Sequence, residues 1–354
     1  MTDIDLPVNL FVLACDVGCL LAVSKRPQAL LPITIGFGFF SLFVPSLAVF
    51  LSAPGVFGAM RAVAWTVFLH APVVLLAGAA LARAHSRFDA IAQAVVAVLL
   101  VVFATDAFLV EPRWLEIARY TIASPKIAKP LRIVELTDVQ TDEVGAWEAN
   151  AFALAMAENP DLIVMPGDYV QVDVALERYP EQVRKMRDLW PALKAPLGVW
   201  AVQGNVDWRE TWSKDLFDGT QITADRTTTT RDLGPVSLTS VGFLDSFNAR
   251  LAFPATDDFH IAFGHGPDFS LSERAAADLL IAGHTHGGQV VLPGYGPLMT
   301  LSAVPRPWAA GGITELSGGR HLVVSRGIGM ERAYAPRLRF LCRPQLVVID
   351  LVPA

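Results

Sequence analysis

The 354-residue chain predicts an all-helical, membrane-type region followed by an α/β globular region, and three observations carry that prediction. Hydrophobic residues make up 53% of the chain and charged residues only 18%, too apolar for an average soluble protein. The excess is confined to one end, since residues 1–110 hold ten of the 62 charged side chains. Beyond them, short apolar runs rich in β-branched residues alternate with amphipathic stretches, and several of these runs end in glycine or polar turns carrying Asp, Asn or His.

Crossing about 30 Å of hydrocarbon takes about 20 predominantly apolar residues. Four stretches meet that length: Leu6 to Ser24, Ala29 to Ser52, Ala62 to Leu81 and Ile91 to Val110. The residues before the first run are acidic, Asp3 and Asp5, so a removable signal peptide is not expected. A helical region integral to a bacterial-type inner membrane is. Lys25, Arg26, Arg83 and Arg87 fall in two loops on one face, which by the positive-inside rule puts the globular region outside the cytoplasm; Arg113, Arg119, Lys126 and Lys129 pull the other way. Asp16, His70 and Asp106 are ionisable groups within these stretches. Their scatter makes no relay pattern, so Asp16 and Asp106 are expected near interfaces and His70 against a neighbouring helix.

A net charge of −6 argues against nucleic acid as a partner, because such binding rests on Lys and Arg neutralising phosphates. Cys15, Cys19 and Cys342 suggest neither a disulfide framework nor a zinc–cysteine site.

In the globular region, Leu131 to Thr137 reads as a strand running into Asp138-Val139-Gln140. Ala146 to Glu158 has helical spacing and stops at Asn159-Pro160. The strand Asp161 to Met165 ends in Pro166-Gly167-Asp168. A helix is expected over Glu177 to Leu193, and the strand Leu197 to Val202 ends in Gln203-Gly204-Asn205. Strands are expected at Gln221 to Thr230, Val236 to Phe243 and Phe259 to Phe263, the last opening onto Gly264-His265. A helix over Ser272 to Asp278 leads to the strand Leu279 to Ala282 and then Gly283-His284-Thr285-His286. The Gly/Pro-rich stretch Leu292 to Gly312 is a loop that could wall a site with Tyr295, Met299 and Trp308, and His321 to Ser325 and Gln345 to Leu351 close the region. Acidic and amide groups at strand tips are where open α/β folds place chemistry.

The strand-end residues are Asp138, Gln140, Asp168, Asn205, His265, His284 and His286. Mixed oxygen and nitrogen donors suit divalent Mn, Fe or Zn, with Mg also possible, and seven donors exceed one four-coordinate site. Two metals sharing a carboxylate would use them, and a pair about 3.5–4 Å apart can clamp a phosphoryl group.

Thr137-Asp138-Val139-Gln140, Gly167-Asp168, Gly204-Asn205-Val206-Asp207, Gly264-His265 and Gly283-His284-Thr285-His286, in that order, resemble the motifs of the calcineurin-like metallophosphoesterases, and within them the bacterial branch with membrane-attached domains. The resemblance covers residues 119–351. It implies a four-layer α/β/β/α sandwich over residues 113–354, preceded by a transmembrane region over 1–112. It also implies that Asp138 and His286 hold a first metal, Asp168 bridges, and Asn205, His265 and His284 hold a second. A hydroxide bridging the metals would attack phosphorus, with Asn205, Asp168 and His265 the candidate catalytic residues. Gln140 and Val206 stand where the family has His. Gln140 can still ligate through its carbonyl oxygen; Val206 can neither touch phosphate nor protonate a leaving group, a loss of about 10²- to 10⁴-fold where a general acid matters. Asp207 or His321 could supply the proton instead. The reading is a phosphoesterase acting on phosphate esters or pyrophosphates of a small molecule or a lipid. The alternatives are a catalytically impaired metal- or phosphate-binding sensor and a protein whose helices carry the function.

Overall fold

The protein is described by a computed structural model covering residues 2–172 and 176–354. It separates into two compact units, one running to Val110 and including Glu331–Arg337, the other comprising Glu111–Met330 and Leu338–Ala354.

Among the described residues four helical stretches are long and apolar enough to cross a membrane: Asp5–Lys25, Pro27–Phe50, Gly55–Ala82 and Arg87–Arg113. The third begins seven residues before the expected Ala62 and takes a π-helical turn at Thr66–His70. Arg61 lies inside this helix, where it donates to both carboxylate oxygens of Asp5 at 2.6 and 3.0 Å and to the Ala335 carbonyl at 3.1 Å. The expectation that Asp16 sits near an interface is corrected. Asp16 lies midway along its helix and is bonded to His70 Nδ1 at 2.6 Å.

In the globular unit the strands, in chain order, are β1 Glu116–Ser124, β2 Leu131–Glu135, β3 Leu162–Met165, β4 Val199–Val202, β5 Ile222–Asp225, β6 Thr229–Asp232, β7 Ser237–Ser240, β8 His260–Gly264, β9 Leu279–Ala282, β10 Val291–Leu292, β11 Gly296–Pro297, β12 Gly312–Glu315, β13 His321–Val324 and β14 Gln345–Pro353. Among the described residues they form one sheet ordered β1-β14-β2-β3-β4-β5, another ordered β12-β13-β9-β8-β7-β6, and the small pair β10-β11. β2 to β5 run parallel in the first sheet, as do β7, β8, β9 and β13 in the second. Strands buried on both faces read as unbroken apolar runs, which is why β3, β8 and β9 stand out in the sequence.

Ile133, Val164, Val202, Ile261, Phe263, Ile281 and Val323 fill the space between the sheets. On the outer face of the first sheet, helices Ala146–Ala157 and Tyr179–Leu189 bury Phe152 and Met186 against Val134, Ile163 and Val348. The outer face of the second sheet is covered thinly, by short helical turns at Phe243–Ser246, Pro267–Leu271 and Arg306–Ala309.

Three local expectations fail. Gln221 to Thr230 is two strands, β5 and β6, placed in different sheets. Ser272 to Asp278 is not helical, because Ser272 Oγ donates to the Leu251 carbonyl at 2.7 Å and Ala275 forms a bridge with Phe253, contacts that override the helical preference of its alanines. Within the expected Leu292 to Gly312 loop, β10 and β11 pair, and β12 begins at Gly312.

Candidate metal centre

Because β2, β3, β4, β8 and β9 are parallel within their sheets, the turns after them emerge at shared sheet ends, and six of the seven candidate donors meet there at printed distances. The backbone of these turns is strained. Of the ten described non-glycine residues with positive φ, five are candidate donors: Asp138, Gln140, Asp168, His284 and His286. Each such conformation costs about 1 kcal/mol or more and persists where surrounding structure enforces it, as at functional sites. Two glycines make the enclosure possible. A Cβ at Gly204 would collide with Asp168 Oδ1, and one at Gly283 with Asp138 Oδ2 and Thr137 Oγ1.

One group comprises Asp138, Asp168 and His286, whose ligand atoms lie within 4.8 Å of one another and are all buried. His286 Nε2 is 3.7 Å from Asp138 Oδ1. The Asp138 carboxylate accepts the His284 backbone N–H at 3.0 and 3.1 Å and the Thr137 hydroxyl at 2.9 Å, which fixes its direction. Gln140 is fully buried on the same turn and donates from Nε2 to Gln171 Oε1 at 3.0 Å, so its nitrogen is committed and Oε1 is the branch with ligating chemistry.

The second group comprises Asn205, His265 and His284. His265 Nδ1 lies 3.0 Å from the Pro166 carbonyl, and His284 Nε2 lies 3.2 Å from the Leu301 carbonyl. A carbonyl only accepts, so those nitrogens carry the hydrogens. Burial, reinforced by the neighbouring His284, holds His265 well below the usual imidazole range, and burial likewise lowers His284, so both rings are neutral. Their other nitrogens are then lone pairs, yet they face each other at 3.1 Å, with Asn205 Oδ1 at 2.7 Å from one and 2.9 Å from the other. Lone pairs so arranged repel unless a cation lies among them. Turning the Asn205 amide over would not relieve the contact between the two rings.

Asp168 joins the groups, with Oδ2 3.5 Å from His265 Nε2 and Oδ1 accepting the Val206 N–H at 2.9 Å. Donors of this kind, two carboxylates, two amides and three imidazoles, fit divalent transition ions.

Val206 is buried and offers the site only its backbone N–H. Asp207 is committed as well. Its carboxylate accepts the N–H groups of Asp168 at 2.9 Å, Tyr169 at 3.2 Å and Gly204 at 2.9 Å, clamping two site turns together, while burial raises it to about 6. His321 opens β13 at the sheet end opposite Ser325 and Gly327, so it does not reach the site. His260 likewise opens β8, bonded to Thr239 Oγ1 at 2.7 Å.

The 292–312 loop reaches the second group through the Leu301 carbonyl, held by Asp268, which accepts from Ala303 N at 2.9 Å and from Ser302 Oγ. Tyr295 instead stacks with Arg306, and Trp308 packs into the outer core. The Phe247 ring meets His284 edge-on at 4.9 Å.

Sequence reasoning missed Arg339. This fully buried guanidinium donates to the carbonyls of Gly329 at 2.5 Å, Arg326 at 2.7 Å, Cys342 at 3.0 Å and His286 at 3.4 Å, tying the His286 turn to the 326–329 loop. That loop in turn packs on Asp138, whose carbonyl accepts from Gly329 N at 2.7 Å. A charged residue inside the apolar run Leu338 to Cys342 was the available signal.

The family model described as calcineurin-like phosphoesterase matches residues 131–288. The uncharacterized metallophosphoesterase YkuE of Bacillus subtilis is 28% identical over 258 residues, covering 68% of this chain and 87% of the relative. Phosphodiesterase YaeI of Escherichia coli is 28% identical over 256 residues, covering 68% and 90%. An uncharacterized metallophosphoesterase of Aquifex aeolicus is 25% identical over 261 residues, covering 68% and 93%.

Proposed function

We propose that the chain, whose residues 131–288 match the calcineurin-like phosphoesterase model, is a membrane-attached hydrolase of that family that uses two divalent cations to cleave phosphodiesters or pyrophosphates bearing an apolar group. The observation that carries the reading is the opposed lone pairs of His265, His284 and Asn205 beside the buried Asp138, Asp168 and His286.

In this reading His286, Asp138 and Gln140 would hold one cation and Asn205, His265 and His284 the other, with Asp168 shared between the two groups. The bound cations would supply Lewis-acid neutralisation of phosphoryl oxygens and acidify water. The chain does the rest. Asn205, the exposed member of the set, orients the phosphoryl group through its amide nitrogen. Water adds to phosphorus and the P–O bond to the leaving group breaks. The leaving oxygen takes its proton from solvent, because Val206 has none to give and Asp207 is held by three backbone amides. That requirement favours leaving groups that are already stable anions, such as a phosphate, and the relative from Escherichia coli is named a phosphodiesterase.

An apolar substrate portion is supported by the side chains around the second group. Phe247 lies against His284, and Leu301, whose carbonyl meets His284 Nε2 at 3.2 Å, is 55% exposed. A lipid-linked phosphate supplies such a portion. The membrane attachment rests on the four apolar helices.

The full-length protein with Mn²⁺ is expected to hydrolyse bis-p-nitrophenyl phosphate, to lose that activity in EDTA, and to lose it by more than about 10²-fold in Asp168→Asn. Metal binding without turnover of either this diester or p-nitrophenyl phosphate would instead support the second reading, a metal- or phosphate-binding sensor, which the Gln140 and Val206 positions favour.

A further inference from the structure

The hairpin β10-β11 begins five residues after His286 and exposes apolar side chains where a globular surface ordinarily carries charge. Among the described residues of the globular unit ten large apolar side chains are exposed, and six of them, Trp114, Leu292, Tyr295, Leu298, Leu301 and Leu341, belong to the hairpin, its continuation and the segments bonded to it. Each of the six is 38–57% exposed. Residues 288–312 contain no Asp or Glu, and Arg306 is their one charged side chain.

Hydrogen bonds and ring contacts join these residues into one face. Leu298 N donates to the Val290 carbonyl at 3.1 Å, Val291 N to the Phe340 carbonyl at 2.9 Å, and Phe340 N to the Gln289 carbonyl at 2.8 Å. The next two residues reach Glu111: Leu341 N donates to its Oε2 at 2.7 Å and Cys342 N to its Oε1. Arg343 then lies over the Trp114 ring at 4.5 Å. What covers this face follows from the chain itself. The fourth apolar stretch ends at Arg113, so with that stretch in a bilayer the lipid surface lies at Glu111 to Trp114, the residues to which the hairpin's partner segment is bonded. The side chains suit that place. Trp and Tyr are enriched at lipid–water boundaries, and here each carries an arginine on its ring, Arg343 on Trp114 and Arg306 on Tyr295 at 4.3 Å. Long cationic side chains of this kind bury an apolar stem and reach for phosphate with the head.

We propose that the hairpin docks on the surface of the bilayer that holds the helices, with Leu292, Tyr295, Leu298 and Leu341 in the boundary between headgroups and acyl chains. Arg306, and Arg343 beside its 3.2 Å ion pair with Glu116, sit at the level of the lipid phosphates. Both donor groups are braced against this face. The Leu301 carbonyl meets His284 Nε2 at 3.2 Å, the Cys342 thiol donates to the His286 carbonyl at 3.2 Å, and the hairpin folds back so closely that a Cβ at Gly288 would collide with Pro297. The docking rests on the helices lying in a membrane; its consequence, a substrate taken from the lipid surface instead of bulk water, rests on the hydrolase reading.

The test uses the full-length protein in nanodiscs of phosphatidylcholine and phosphatidylglycerol, doped with a phosphatidylcholine that carries a diazirine near the headgroup end of one acyl chain, and maps the photolabels by peptide mass spectrometry. Beyond Arg113, labels are expected on peptides containing residues 290–301 and 340–343, at a level at least about tenfold above the peptides around Lys126 and Ser317, which lie at the opposite sheet ends. The double variant Leu292→Asp, Leu298→Asp should lower hairpin labelling about tenfold and leave the labelling of the four apolar helices unchanged. In the same discs its hydrolysis of hexadecyl p-nitrophenyl phosphate should fall about tenfold, while soluble bis-p-nitrophenyl phosphate is turned over within about twofold of the unaltered rate. An unlabelled hairpin in a protein whose apolar helices are labelled, or a hairpin cross-linked to a second copy of the chain in place of lipid, would overturn the docking. A labelled hairpin in a protein that hydrolyses neither diester would support the docking and overturn only the hydrolase reading.

Discussion

Val206 stands where the motif resemblance implies a histidine, and its side chain is buried next to the Asp168 carboxylate that its own N–H supports. Val206→His should therefore raise the rate on alkyl phosphodiesters by up to about 10²-fold and leave activated aryl diesters almost unchanged, a split read by comparing the two substrates. Arg339 acts at one remove, through the carbonyls of His286 and Gly329. Arg339→Met should weaken Mn²⁺ binding about 10- to 100-fold by calorimetry while the far-ultraviolet circular dichroism stays native. Both donor groups were legible in the sequence because glycine-flanked His and Asp at strand tips have few other uses. Arg339 was not, since a lone arginine says nothing of the carbonyls that fold around it. Gln140 and Val206 were legible as departures, but that Asp207 is committed to three backbone amides emerged only from the fold.

At the level of elements, the parallel strands do the positioning, and β2 carries one anomaly. Glu135, its last residue, is fully buried, and neither carboxyl oxygen has a hydrogen-bond partner among the described residues. Burial, with the Asp138 charge nearby, pushes its pKa well above the usual 4.5. The folded state therefore holds a proton that the unfolded state releases near pH 4.5, and this group's contribution to stability falls as pH rises from there toward the folded value. Glu135→Leu should stabilise the protein by about 1–3 kcal/mol at neutral pH and flatten that part of the thermal-unfolding profile. The buried strands were readable as apolar runs. Edge strands were not: β6 and β12 alternate exposed with half-buried residues and offer no run to recognise. Helix Trp212–Phe217 was also missed, although it supplies Trp212 and Phe217 to the aromatic cluster around Tyr169, the residue after Asp168.

For the whole molecule, the division into an apolar helical part and a globular part was plain from charge distribution, because 52 of 62 charged residues lie beyond position 110. The pairing of Asp16 with His70 was not, since 54 residues separate them and helix packing alone unites them. An extracytoplasmic globular unit is the expectation from the basic loops Lys25-Arg26 and Arg83 to Arg87, against the pull of Arg113, Arg119, Lys126 and Lys129. An alkaline phosphatase fused after Ala354 should then be active in cells; an inactive fusion, with an active cytoplasmic reporter at the same point, would reverse the topology. Hydrolysis of a phosphodiester is proposed to depend on two cations held by these strand-end residues. Titrating metal-stripped full-length protein with Mn²⁺, while counting bound ions and following bis-p-nitrophenyl phosphate, tests it most directly. Turnover that rises to a plateau as a second ion binds, and that Asp168→Asn removes, is the expected result; two ions bound with no turnover, or turnover indifferent to Asp168→Asn, would contradict it.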